Sequence, residues 1–103
     1  MYKGTTPTFT LTLPETVDLS LAVNVYVSFA AKDRTLFEKT GDDLEIDGNV
    51  CNVFLSQEET LSFPRRVSIQ LNWTYTDGGV TKRSCSTVAT VDVAENLANR
   101  VLE

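Results

Sequence analysis

Thr8 to Leu13 reads Thr-Phe-Thr-Leu-Thr-Leu, a period of two that puts Phe9, Leu11 and Leu13 on one face of a strand and threonines on the other. Pro14 cannot donate to a ladder and ends it. Val23 to Ala31 repeats the alternation: Val23, Val25, Val27 and Phe29 face one way, Tyr26 and Ser28 the other. A third strand is predicted from Arg34 to Lys39, broken by Gly41-Asp42-Asp43. Leu44 to Ile46 and Val50 to Leu55 flank Asp47-Gly48-Asn49, a hairpin signal. In the second of these strands Val50 and Phe54 compete for the interior with Cys51, Val53 and Leu55, and the latter set is favoured.

Ser56-Gln57-Glu58-Glu59 has the form of a capping box and predicts one helical turn, with Leu61 and Phe63 dropping into the core and Pro64 stopping the turn. Val67 to Tyr75 is the longest alternating run. Beyond Asp77-Gly78-Gly79 the chain returns from Val80 to about Val93. A three-residue loop pairing Thr76 with Val80 is expected, because it sets Leu71 opposite Cys85 and Val67 opposite Ala89 on a dry face. The same register puts Thr74, Asn72 and Gln70 opposite Lys82, Ser84 and Ser86 on a wet face, and Arg83 opposite Trp73, where it can stack on the indole. The tail departs from the strand pattern. Asp92 and Glu95 suit a second capping box, and Leu97 and Val101 share one helical face, so residues 94–102 are expected to form a short C-terminal helix docked on the sandwich or on a partner chain.

About seven strands with no long helix indicate an all-β fold: an immunoglobulin-like antiparallel β-sandwich, with a small barrel as the alternative. Thr and Val, both suited to a pleated surface, supply twenty-six of the 103 residues and reinforce that reading. At this length the chain forms a single domain spanning 1–103. The cysteines do not bracket a Trp as in antibody domains.

Nine Lys and Arg against fourteen Asp and Glu give a net charge of −5, which opposes nucleic-acid binding. No apolar run is long enough to span a bilayer, and the opening Met1 to Pro7 lacks the apolar core of a signal peptide, so synthesis in a cytoplasm is expected. There is no histidine, which excludes His-based triads and metal sites. Cys51 and Cys85 both fall on inward phases and are expected to be buried thiols; a disulfide between them is the lesser reading in a reducing compartment. The run Asp42, Asp43, Glu45, Asp47, Gly48 fits the start of a calcium loop, but its twelfth position is Phe54 and not the required glutamate. A solvated hairpin is the better reading. Asn72-Trp73-Thr74 matches a glycosylation sequon and is read as strand alternation. Arg65-Arg66 and Lys82-Arg83 are too few for a nucleic-acid site on an acidic domain. No catalytic, cofactor or metal residue is assigned. Candidate interaction residues are Gln70, Asn72, Thr74, Lys82 and Ser84 on the wet sheet face, and Leu97 and Val101 on the terminal helix.

The segments Gly4-Thr5-Thr6-Pro7-Thr8 into Phe9-Thr10-Leu11-Thr12-Leu13-Pro14, Val25-Tyr26-Val27-Ser28-Phe29 and Leu55-Ser56-Gln57-Glu58-Glu59-Thr60-Leu61 resemble small proteins encoded in phages and prophages of Gram-positive gut bacteria. The opening is similar to that of the immunoglobulin-like N-terminal module of phage baseplate upper proteins. The resemblance implies a non-enzymatic structural or assembly component, tail- or baseplate-associated, made in the host cytoplasm and then carried in the virion. Its implied partners are other phage structural proteins or further copies of itself. It departs from baseplate proteins in having no downstream segment after Glu103 to engage a receptor-binding protein. The alternative is a carbohydrate- or surface-ligand-binding module using Gln70, Asn72, Thr74, Ser84 and Ser86.

Overall fold

The computed structural model describes all 103 residues. The strands are β1 (Thr8–Thr12), β2 (Asn24–Ala31), β3 (Arg34–Thr40), β4 (Leu44–Asp47), β5 (Val50–Phe54), β6 (Arg66–Asp77), β7 (Val80–Cys85) and β8 (Ala89–Asp92), with one helix, α1 (Gln57–Leu61). Every ladder is antiparallel. One sheet has the order β1-β5-β4; the other runs β3-β2-β6, with β7 and β8 sharing the far side of β6. The expected all-β antiparallel sandwich is therefore formed, with eight strands.

The two sheets close on thirteen buried apolar residues. Cys51, Val53 and Leu55 supply one layer and Val27, Phe29, Val67, Ile69, Leu71 and Trp73 the other, as the alternation predicts. Phe29 stacks on Phe37 at 4.9 Å and on Phe63 at 5.8 Å, and Phe37 and Phe63 stand 5.7 Å apart. This aromatic group fills the gap beside α1 that β-branched side chains are too small to close. Leu61 remains half-buried, over Gly4, and not in the core. Val23 precedes β2 and is exposed, contrary to its inward phase.

Helix α1 begins where the capping box predicts. The Glu59 N–H donates to Ser56 Oγ at 3.2 Å and the Ser56 N–H donates to Glu59 Oε1 at 2.8 Å. The same Oε1 lies 2.7 Å from Lys39 Nζ on β3, which is 9% exposed. Partial burial would raise the Glu59 pKa. The hydrogen bond and charge of Lys39, with the bonds from Ser56, outweigh it and hold the carboxyl below its ordinary value.

Three expectations are corrected. First, the β6–β7 turn has two residues, pairing Asp77 with Val80. Gly78 and Gly79 both have positive φ, 59° and 81°, which a type I′ turn requires and glycine supplies without Cβ strain. Trp73 is consequently opposite Ser84, and Cys85 is exposed opposite Asn72. Second, the return strand is split. The ladder pairs Asn72 with Cys85 but Ile69 with Ala89 and Val67 with Val91, so one extra residue is accommodated between Cys85 and Ala89. That bulge turns Val91 and Val93 towards the core and makes the eighth strand. Third, residues 94–102 form no helix. Their polar groups bond to other segments instead. Ala94 bridges Tyr2, Asn96 Nδ2 donates to the Lys3 carbonyl, and Gln57 both donates to and accepts from the Leu102 backbone. Leu97 has no apolar surface to cover and is fully exposed, and Asp92 pairs with Arg66 and not with a helix start.

Candidate functional site

The outer face of the larger sheet is built by the outward phases of four strands. Tyr26 on β2 lies between Thr40 on β3 and Asn72 on β6, and Asn72 is followed by Cys85 on β7. The next row contains Glu38, Ser28 and Gln70, and another contains Asn24, Thr74 and Arg83. Polar alternation in three consecutive strands therefore converges on one surface. Tyr26, Glu38, Asn72, Thr74 and Arg83 line a shallow hollow of about 250 Å³ there.

Hydrogen bonds hold these groups in place. Arg83 donates through Nε and Nη2 to Asn72 Oδ1 at 3.1 and 3.0 Å. Ser28 Oγ donates to Glu38 Oε2 at 3.0 Å, and Gln70 Nε2 donates to the Ser86 carbonyl at 2.9 Å across the bulge. The arrangement presents a phenol ring, a carboxylate and a guanidinium at the rim of one concavity. It can meet hydroxyl-bearing or polypeptide surfaces through mixed donors and acceptors.

Of the residues chosen from sequence, Gln70, Asn72 and Thr74 share this face. Lys82 and Ser84 do not: the two-residue turn pairs them with Tyr75 and Trp73, on the opposite face. Lys82 Nζ instead meets Asp77 Oδ2 at 2.9 Å. Leu97 and Val101 are exposed, at the end where the tail crosses Lys3 and Gln57. Arg83 is on the polar face and does not stack on Trp73. Tyr26 and Glu38, which are not among the residues the sequence singles out, also line the hollow, although the phase of β2 points Tyr26 outward. Only the pairing of β2 with β6 brings it beside Asn72.

A second feature adjoins this face. β6 pairs with β2 only as far as Thr74, so Tyr75 to Asp77 and the start of β7 form a two-stranded arm. Every residue of β7 except Ser84 is exposed, and its far edge has no neighbouring strand. In a two-residue hairpin the flanking pair Asp77 and Val80 exchange backbone bonds, so the outward N–H groups of β7 alternate as Thr81, Arg83 and Cys85. The Val23 N–H bond to the Thr74 carbonyl at 2.8 Å, on the other side of β6, agrees with this phase. The thiols are separated: Cys85 is on the outer face and Cys51 is in the core, where burial pushes its pKa up to about 11. No helix is long and apolar enough to cross a membrane. No protein-family model matches the chain, and the comparisons with curated proteins and with solved structures found no match.

Proposed function

We propose that this protein is a non-enzymatic structural or assembly component, of the phage tail- or baseplate-associated kind that its sequence resemblance implies. It contacts other chains by adding a strand to the free edge of β7. The observation that supports this reading is the arm itself. A two-stranded ribbon is weakly stable alone, and β7 is exposed at every position but Ser84, with no strand along its far edge. An extended segment of a partner laid beside it would satisfy the outward donors of Thr81, Arg83 and Cys85. Lys82 and Arg83 restrain indiscriminate pairing, as charges on sheet edges do, and would leave the edge selective for a partner with complementary charge. The lack of any histidine in 103 residues removes the commonest general acid and base, which weighs against catalysis.

The test is affinity capture from lysates of phage-producing Gram-positive bacteria, with mass-spectrometric identification of what is retained. Wild type is expected to retain virion structural proteins. Arg83→Pro, which removes one outward donor, is expected to lose them, while Arg83→Ala, which keeps the N–H, retains them. Capture unaffected by the proline, or retention of metabolic enzymes alone, would count against the proposal.

The hollow around Tyr26 favours a second reading, a module for surface carbohydrate, since an aromatic ring flanked by Glu38, Asn72 and Arg83 suits a polyhydroxylated ligand. A glycan array distinguishes the two: saturable binding lost in Asn72→Ala and Tyr26→Ala would put this reading first.

A further inference from the structure

Five of the nine Lys and Arg side chains, Lys3, Lys32, Arg34, Arg65 and Arg66, line one groove of about 1470 Å³ on a protein whose net charge is −5. The β2–β3 turn, the segment between α1 and β6, and β8 form its walls, and Phe63 and Val93 contribute apolar floor. Asp33 and Asp92 also line it; Arg66 pairs with Asp92 at 3.2 Å, and Lys3 pairs with Glu95 outside it at 3.2 Å. Lys32, Arg34 and Arg65 have no ion-pair partner. Lys32 occupies the first position of a two-residue turn with φ at 56°, the only non-glycine residue of the chain at positive φ. A glycine would be unstrained there, so the chain holds a cation over the groove against backbone preference.

The complementary charge is elsewhere on the same chain. Residues 40–64 contain no Lys or Arg. Within them Asp42, Asp43, Glu45 and Asp47 are all exposed, and none makes a salt bridge. Asp42 follows β3 and Lys32 precedes it, so the seven residues of that strand, at about 3.3 Å each, put them more than about 20 Å apart. The acidic run cannot reach the groove of its own copy.

We infer that the basic groove receives the Asp42–Asp47 segment of a second copy, a head-to-tail contact between unlike surfaces. Such a contact leaves a free groove on one copy and a free acidic run on the other, which either close on each other in a two-fold pair or take up further copies in rings or filaments. The apolar floor and the two aspartates in the groove suit a hairpin of mixed character better than a bare polyanion. The net charge of −5 opposes approach, but facing opposite charges within a Debye length of about 8 Å outweigh it at contact. The inference rests on the reading of the protein as an assembly component and names a surface apart from β7.

Sedimentation equilibrium at low ionic strength tests it. The wild-type mass is expected to rise above that of the monomer as concentration approaches about 1 mM, and to fall back in about 0.5 M salt. R34E/R65E and D42K/D43K should each weaken association by at least roughly tenfold, since each puts like charges face to face. The fourfold variant R34E/R65E/D42K/D43K keeps the net charge at −5 and exchanges the two surfaces, so association should return. A wild type that remains monomeric, or reversed-charge variants that associate as wild type does, would overturn the inference. Tight retention of inorganic polyphosphate by a monomeric wild type would assign the groove to an anionic ligand and overturn it as well. Loss of self-association with capture through β7 intact would leave the proposed function standing.

Discussion

At the scale of single residues, the two cysteines give the sharpest contrast. Cys85 is exposed on the outer sheet face and Cys51 is buried with its pKa pushed up to about 11. An alkylating reagent near neutral pH should therefore add one equivalent per native chain and two in denaturant, read by intact mass. Two equivalents without denaturant would contradict the core. Glu59 sets a pH dependence. Its folded pKa is lowered from the ordinary 4.5, so its stabilisation is present above that value and is lost as pH falls through the lower folded value. Denaturant melts from about pH 6 to about pH 3 should show a steeper acid loss for wild type than for Glu59→Gln. The substitution should cost about 2 kcal/mol near neutrality, because it leaves the nearly buried Lys39 without its partner. The sequence disclosed Ser56 and Glu59 as a pair because a capping box is local. It hid Lys39, which reaches Glu59 only through the fold.

At the scale of elements, the β6–β7 turn shows where local reading stops. Asp77-Gly78-Gly79 is compatible with more than one loop length, and a single dry face from Val67 to Val93 is what favours three residues. That criterion assumes one uninterrupted ladder. The bulge between Cys85 and Ala89 breaks the assumption, since it flips the phase partway and dries Val91 and Val93 without burying Cys85. Gly78→Val and Gly79→Val should each destabilise by about 1 to 2 kcal/mol in equilibrium unfolding, as the left-handed region penalises a Cβ. Gly78→Asn should be nearly neutral, because Asn-Gly suits the same turn. The expected terminal helix failed for a related reason: its spacing was amphipathic, but a helix this short needs a surface to bury its apolar face, and the tail bonds to Lys3 and Gln57 instead. Strand phases, by contrast, were legible wherever both faces were strongly unlike, as in β1, β2 and β6.

At the scale of the whole molecule, the radius of gyration is 14.8 Å and the extents are 52 × 29 × 20 Å. A compact chain of this length would have a radius near 13 Å. The exposed area of 6765 Å² likewise exceeds the value of about 6,000 Å² expected for a compact chain of this mass. The excess lies in features that lack cover within one copy: the β6–β7 arm and the extended tail. Phe63→Ala should be among the most damaging single changes, at about 3 to 5 kcal/mol in denaturant unfolding, because it opens the stack shared by Phe29 and Phe37. The most direct test of the account is amide hydrogen exchange of β7, free and in the captured complex. Thr81, Arg83 and Cys85 should exchange quickly in the free protein and slow markedly in the complex, while Lys82 and Ser84, bonded to β6 in both, stay protected throughout. Equal rates for the first three in both states, with slowing confined to Tyr26 and Asn72, would contradict strand addition at this edge.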